Sequence, residues 1–299
     1  MKPQREPKAG GFLEDGELRI WWELHDAGEG SAGSPREVVC LLNGLAMHTK
    51  AWYPFLDDLS GYDVLLYDYV GQGASSSPDE PITLPRIAGH LRSILDLQGI
   101  DRIHVLGVSY GGFVALEFAR LFQERLHTLT LSGIHLSHER VFELYQAMSL
   151  RLYAGGRDLF PLYTHYLYEK IFGERFLQET PPETLESMRQ RFEDRYIHRI
   201  HSLVRLTEAQ NPFFGTLDAN LPQYRAVRTP TLVLSGAQDR CVPLWAQEKL
   251  VDVFPNSRYE LVPDAGHVVY MERREVFFPR WRHFMETRDP GTLGTAYGI

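Results

Sequence analysis

Residues 105–112 read VLGVSYGG: an apolar run that stops at Gly107, passes through Ser109 and leaves through Gly111 and Gly112. A helical pattern follows at once, over Val114 to Phe122. A sharp strand-to-helix turn forces its central residue into a strained backbone. The positions two away must then be small to avoid neighbouring backbone. The outcome is a serine hydroxyl raised above a sheet, with the next N–H at a helix N-terminus. A glycine-rich turn holding an incidental serine would read the same way in isolation, so the rest of the chain decides.

Outward from this run, continuous apolar stretches recur, each ending in a turn signal: EVVCLLNG, YDVLLYDYVGQG, LHTLTLSG, TPTLVLSGAQD and SRYELVPDAGH. Continuous rather than alternating apolarity marks strands covered on both faces, as in a parallel sheet. An N-terminal hairpin is expected around Asp15-Gly16, and a loop over residues 28–36. Helical spacing fills Thr83–Leu97, Leu244–Phe254 and Val276–Met285. This alternation predicts an α/β protein with a mostly parallel central sheet and helices on both faces. One interval breaks it. Residues 135–226 carry helical periodicity without a strand and are divided by Gly155-Gly156 and Pro181-Pro182. The expected organisation is a core over 1–134, a helical cap insertion over 135–226, a return to the core over 227–289, and a flexible tail over 290–299.

Open parallel sheets place their sites at the C-terminal ends of strands. Ser109, Asp239 and His267 each follow a strand run, so three groups far apart in sequence can meet at one sheet edge. A rival acid after LHTLTLSG is absent, because no carboxylate precedes Glu139 there. A serine hydroxyl needs an adjacent base to act as a nucleophile. His267 is the candidate base, and Asp239 the group that orients it. An ordinary imidazole would then lose activity as the pH falls through roughly 6 to 7.

On these motifs the sequence resembles the α/β-hydrolase superfamily over about residues 11–287. VLGVSYGG resembles its nucleophile elbow, and YDYVGQGASS, with Asp68, its DxxGxGxS loop. GAQDRCVP and DAGHVVYME resemble the loops that deliver acid and base, and CLLNGLAMHTKAW resembles the oxyanion loop, with Asn43 where histidine is usual. The resemblance implies oxyanion donors at the amides of Leu45 and Tyr110. It implies a structural role for Asp68. A serine nucleophile disfavours the dehalogenase and epoxide hydrolase branches. The Asn-Gly oxyanion loop is similar to those of two subgroups handling 3-hydroxyacyl chains, the polyhydroxyalkanoate depolymerases and the synthases of rhamnolipid precursors. The implied activity is a cofactor-free serine esterase on an acyl substrate. The alternatives are an acyltransferase or synthase on 3-hydroxyacyl thioesters and, further off, a non-catalytic receptor.

Candidate pocket residues are Asn43, His48, Phe142, Tyr145 and Met148, with Tyr153, Phe160 and Tyr163 as further cap aromatics. His48 also reads as an exposed loop histidine. Cys241 reads as packing rather than a reactive thiol. His198 and His201 share a helix face, but no acid or cysteine completes a metal site there. Formal net charge is −8 over 299 residues with no basic run, which argues against nucleic acid as a partner. Two cysteines make no disulfide framework. The absence of a long apolar stretch implies no membrane span, and the N-terminus lacks a signal-peptide pattern, so the expected compartment is the cytoplasm. The expected partner is a small ester or acyl molecule; nothing in the sequence sets an oligomeric state.

Overall fold

A computed structural model describes residues 6–26, 36–77 and 80–293. Eight strands form one sheet: β1 Ala9–Asp15, β2 Leu18–His25, β3 Val38–Leu42, β4 Asp63–Tyr67, β5 Ile103–Val108, β6 Leu126–Ser132, β7 Thr231–Gly236 and β8 Ser257–Val262. Their order is β1-β2-β4-β3-β5-β6-β7-β8. The first two make the expected hairpin, turning at Gly16 with φ +64°, and β2 runs antiparallel to β4. The remaining neighbours are all parallel.

The continuous apolar runs have the anticipated cause. In β3, Val38, Cys40 and Leu42 pack into one core, while Val39 and Leu41 pack into a second on the opposite face. Helices α1 Leu84–Gln98 and α2 Tyr110–Phe122 cover the first face. The second face is covered by a 3-10 helix over Thr49–Leu59 and by the long C-terminal helix described below. Thr83 starts α1 by accepting Arg86 N–H on its hydroxyl, and Gly99 ends it in the left-handed region.

Between β6 and β7 the chain makes seven helices: α3 Arg140–Ala154, α4 Gly156–Ile171, α5 Glu174–Glu179, α6 Pro182–Tyr196, α7 Ile200–Glu208, α8 Gln210–Gly215 and α9 Leu217–Arg225. The breaks fall at Gly155 and before Pro182. Leu152, Tyr153, Phe160, Tyr163, Tyr196 and Leu203 form the insertion's core together with Ala46 from the loop after β3, while Phe142, Leu206, Phe213 and Tyr224 join the first core. Beyond β7 come α10 Leu244–Glu248, α11 Val269–Glu272 and α12 Arg274–Thr287.

Three expectations shift. Helix α2 begins at Tyr110 rather than Val114, because the glycines after Ser109 form its first turn. The stretch over 244–254 is α10 followed by a 3-10 turn, Lys249–Asp252. The tail expected from residue 290 opens with another 3-10 turn, Pro290–Thr292, and Leu293 is fully buried. Residues 294–299 lie outside the described residues, as does the loop expected over 28–36 apart from Arg36. Among the described residues no helix is long and apolar enough to cross a membrane.

Candidate active site

Ser109 sits between β5 and α2 with φ +51° and ψ −122°. A non-glycine residue there carries strain of about 1–3 kcal/mol, held by its surroundings: Ser109 N–H donates to Ser132 O at 2.9 Å and Gly112 N–H to Ser109 O at 2.8 Å. The glycines are sterically required. A Cβ on Gly107 would lie 2.6 Å from Gly111 O, and one on Gly112 would lie 2.8 Å from Ile134.

The loops after β7 and β8 are stitched together. Ala237 N–H donates to Val262 O at 2.9 Å and Gln238 N–H to Ala265 O at 2.8 Å. This places Asp239 against His267, with Oδ2 2.9 Å from Nδ1. The other oxygen, Oδ1, accepts the N–H groups of Cys241 at 2.8 Å and Val242 at 3.0 Å. With Nδ1 donating to the carboxylate, the network assigns the lone pair of the imidazole to Nε2. Burial opposes a charged His267, but the Asp239 charge and hydrogen bond, with Glu272 beyond, outweigh it and raise the imidazole pKa. Ser109 and His267 line the same cavity, of about 370 Å³.

The loop after β3 borders the cavity through Gly44 and Leu45, and a Cβ on Gly44 would lie 3.6 Å from Ser109 Cβ. Tyr110 is the first residue of α2, so its N–H has no partner within the helix. Leu45 N–H donates to no backbone carbonyl among the described residues. Tyr110 follows Ser109 directly in the chain, and Leu45 lines the same cavity as Ser109.

Asn43 departs from its expected place. It is fully buried and does not line the cavity. Its Nδ2 donates to Tyr67 O at 3.1 Å, and its Oδ1 accepts Trp52 Nε1 at 2.8 Å, so it anchors the loop instead. Asp68 is likewise structural, accepting the N–H groups of Thr49 at 2.7 Å and Ala74 at 2.9 Å. Burial raises its carboxyl pKa against these hydrogen bonds.

Of the pocket aromatics, Phe142, Tyr145 and Tyr163 line the cavity. Tyr153 and Phe160 pack in the insertion's core. Met148 is 46% exposed and turns away, because it lies off the helix stripe that carries Phe142, Tyr145 and Ser149. His48 lines the cavity and is half-buried rather than an exposed loop residue. Burial first, then Arg195 and Lys50, push its pKa down to about 4.

Cys241 is buried in the wall, and its thiol pKa is raised, chiefly by burial. Among the described residues, Asp239, Cys241 and His267 are the one group close enough to share a metal ion, and there the carboxylate and imidazole are engaged with each other. His198 faces Arg157 and His201 faces Ser202.

Several contributors escaped sequence reasoning. Gln72 Nε2 holds Gly44 O at 3.0 Å. Gln247 donates to Asp239 Oδ2 at 2.9 Å while its Oε1 accepts Gly133 N–H at 3.2 Å. Gly133, at φ +65°, backs onto the imidazole so closely that a Cβ would lie 2.6 Å from His267 Cε1. Glu272 accepts Gly266 N–H at 3.0 Å and Gly173 N–H at 2.7 Å.

A family model for the alpha/beta hydrolase fold matches residues 37–274. The chain is 25% identical over 251 residues to the poly(3-hydroxyalkanoate) depolymerase of Ectopseudomonas oleovorans, covering 82% of this chain and 83% of that protein. It is 28% identical over 291 residues to a 2-hydroxy-6-oxononadienedioate/2-hydroxy-6-oxononatrienedioate hydrolase of Klebsiella pneumoniae subsp. pneumoniae, covering 92% and 95%. An alpha/beta hydrolase enzyme from a Medee basin deep-sea metagenome superimposes with a TM-score of 0.81 at 23% identity, covering 92% of this chain and 97% of that one, a likeness of fold alone.

Proposed function

The chain belongs to the alpha/beta hydrolase fold family, and on that premise we propose that it is a serine hydrolase cleaving a carboxylic ester through an acyl-enzyme on Ser109. The observation that carries this reading is the Asp239–His267 hydrogen bond at 2.9 Å, beside a cavity that the strained Ser109 also lines. His267 Nε2 takes the hydroxyl proton as Ser109 Oγ attacks the ester carbonyl. The amides of Leu45 and Tyr110 receive the oxyanion, each contributing about 3 kcal/mol. The imidazolium, stabilised by Asp239, returns its proton to the leaving alcohol. Water then enters by the same base and releases the acid. No residue in this sequence of steps calls for a cofactor.

The acyl group occupies the cavity between the core and the helical cap, against Phe113, Phe142, Tyr145 and Tyr163. Similarity to a poly(3-hydroxyalkanoate) depolymerase supports ester cleavage, since 3-hydroxyalkanoate units polymerise through ester bonds. The test is labelling by a fluorophosphonate, followed by turnover of p-nitrophenyl esters of graded chain length. Wild type is expected to label and to turn over, and Ser109→Ala to do neither. An unlabelled wild type sinks the reading. Products in which an alcohol rather than water captures the acyl group reassign the same machinery to acyl transfer.

A further inference from the structure

The wall of the cavity changes character where α6 borders it. Arg191 and Arg195 both line the cavity and stand four residues apart, on one face of that helix. Arg195 and His48 also line an adjoining cavity, together with Lys50 and Arg199. The protein as a whole is acidic, at −8, so this concentration of positive charge runs against the general balance.

Acids of α6 are engaged elsewhere. Glu186 and Glu193 both pair with Arg189, and Asp194 accepts from Gln190. Arg191 donates to the uncharged Ser187 Oγ, and Arg199 to Gly73 O. Arg195 and Lys50 form no ion pair among the described residues. Glu23 and Asp68 bring negative charge to the adjoining cavity, so the unbalanced positive charge belongs to the main cavity, whose lining holds Arg191 and Arg195 and, among the described residues, no carboxylate. Glu23 accepts from Trp21, Thr49 and Tyr53, and Asp68 accepts two backbone N–H groups. The pKa of His48 is lowered chiefly by burial, with Arg195 and Lys50 adding to the fall and Glu23 opposing it.

We propose that Arg191 and Arg195, with Lys50 behind them, form an anion-binding mouth, and that the substrate is an amphiphile whose acyl chain fills the apolar cavity while a carboxylate or phosphate sits at that mouth. A guanidinium pair suits either group, because both present oxygens in the fork geometry arginine matches. The proposal rests on Ser109 as the acyl-accepting group, and it adds what the rest of the substrate carries.

The test measures binding rather than turnover. Ser109→Ala protein is titrated at low ionic strength with octyl phosphate, nonanoate and 1-octanol, three probes of similar chain length. At least one anion should bind about tenfold more tightly than the alcohol, equivalent to about 1.4 kcal/mol. The preference should shrink as salt is added. It should collapse in Arg191→Gln/Arg195→Gln and persist in Arg191→Lys/Arg195→Lys, which also shows that the helix tolerates substitution. Preference for octyl phosphate over nonanoate names a phosphate-bearing substrate, and the reverse names a carboxylate. Equal binding of all three probes, binding of none, or a preference that survives the double glutamine variant overturns the mouth. Fluorophosphonate labelling of wild type judges the hydrolase reading separately. A labelled protein without anion preference loses only the mouth, and an unlabelled protein with it loses only the hydrolase.

Discussion

In the proposed mechanism His267 acts as a base only while neutral, so the direction of its pKa fixes one flank of the pH profile. Burial pulls the pKa down, and the Asp239 charge and hydrogen bond push it above the ordinary 6.5. The protonated form therefore persists to higher pH than in a free imidazole. Activity is expected to be lost as the pH falls through a value above about 6.5, and to be flat on the alkaline side of it. A profile of kcat/KM that holds its plateau down to roughly pH 6 contradicts this assignment. Gly133 offers a sharper test of position. Alanine there meets both a left-handed backbone and the imidazole, whereas Gly99, at φ +63°, has nothing within 4 Å of an added Cβ. Both replacements cost about 1–2 kcal/mol of backbone strain. Only Gly133→Ala should displace the base, with a loss of about 100-fold in kcat. Thermal melting together with ester turnover separates the two, and equal activities would show that Gly133 is merely a turn residue.

At the scale of elements, the helical insertion and the loop carrying His267 are built as one piece. His267 N–H donates to Ile171 O at 2.8 Å, at the end of α4, and Glu272 of α11 holds Gly173 N–H and Gly266 N–H with a single oxygen. Glu272→Leu strands both buried amides and should destabilise the fold by about 1–3 kcal/mol, read as a lowered Tm. Glu272→Gln keeps an acceptor and should lose less. An unchanged Tm in the leucine variant would remove the bracket. None of this was legible in the sequence, and the reason is physical. Ser109, Asp239 and His267 each follow an apolar run, and strand ends are visible in one dimension. The partners of Gln72, Gln247 and Glu272 depend on which loops become neighbours, which no local pattern records. Met148 illustrates a different limit: periodicity shows that α3 has an apolar stripe but leaves its rotation about the helix axis to packing. Asn43 misled because a buried amide anchoring a loop and a polar pocket residue look the same in a sequence.

At the scale of the whole molecule, the order β5-β6-β7-β8 puts Ser109, Asp239 and His267 on loops from one half of a single sheet. The sheet fixes where these three groups sit, and the insertion supplies most of the cavity's aromatic wall and its arginines. The two are joined in a particular way. Strands β6 and β7 are adjacent and parallel, with Leu129 opposite Thr231, so the excursion through α3–α9 leaves at the C-terminal end of one strand and must cross back to the N-terminal end of the sheet to enter its neighbour. The return is made through α8 and α9, whose Phe213, Leu217 and Tyr224 pack into the same core as Phe113 and Phe118 of α2. A lineage could exchange the helices ahead of that return, and with them the shape and charge of the chamber, without disturbing the strands beneath. The cuts that respect this architecture must carry along the partners of Ile171 and Gly173. A transplanted segment that left them behind would arrive without the contacts that seat it over the histidine.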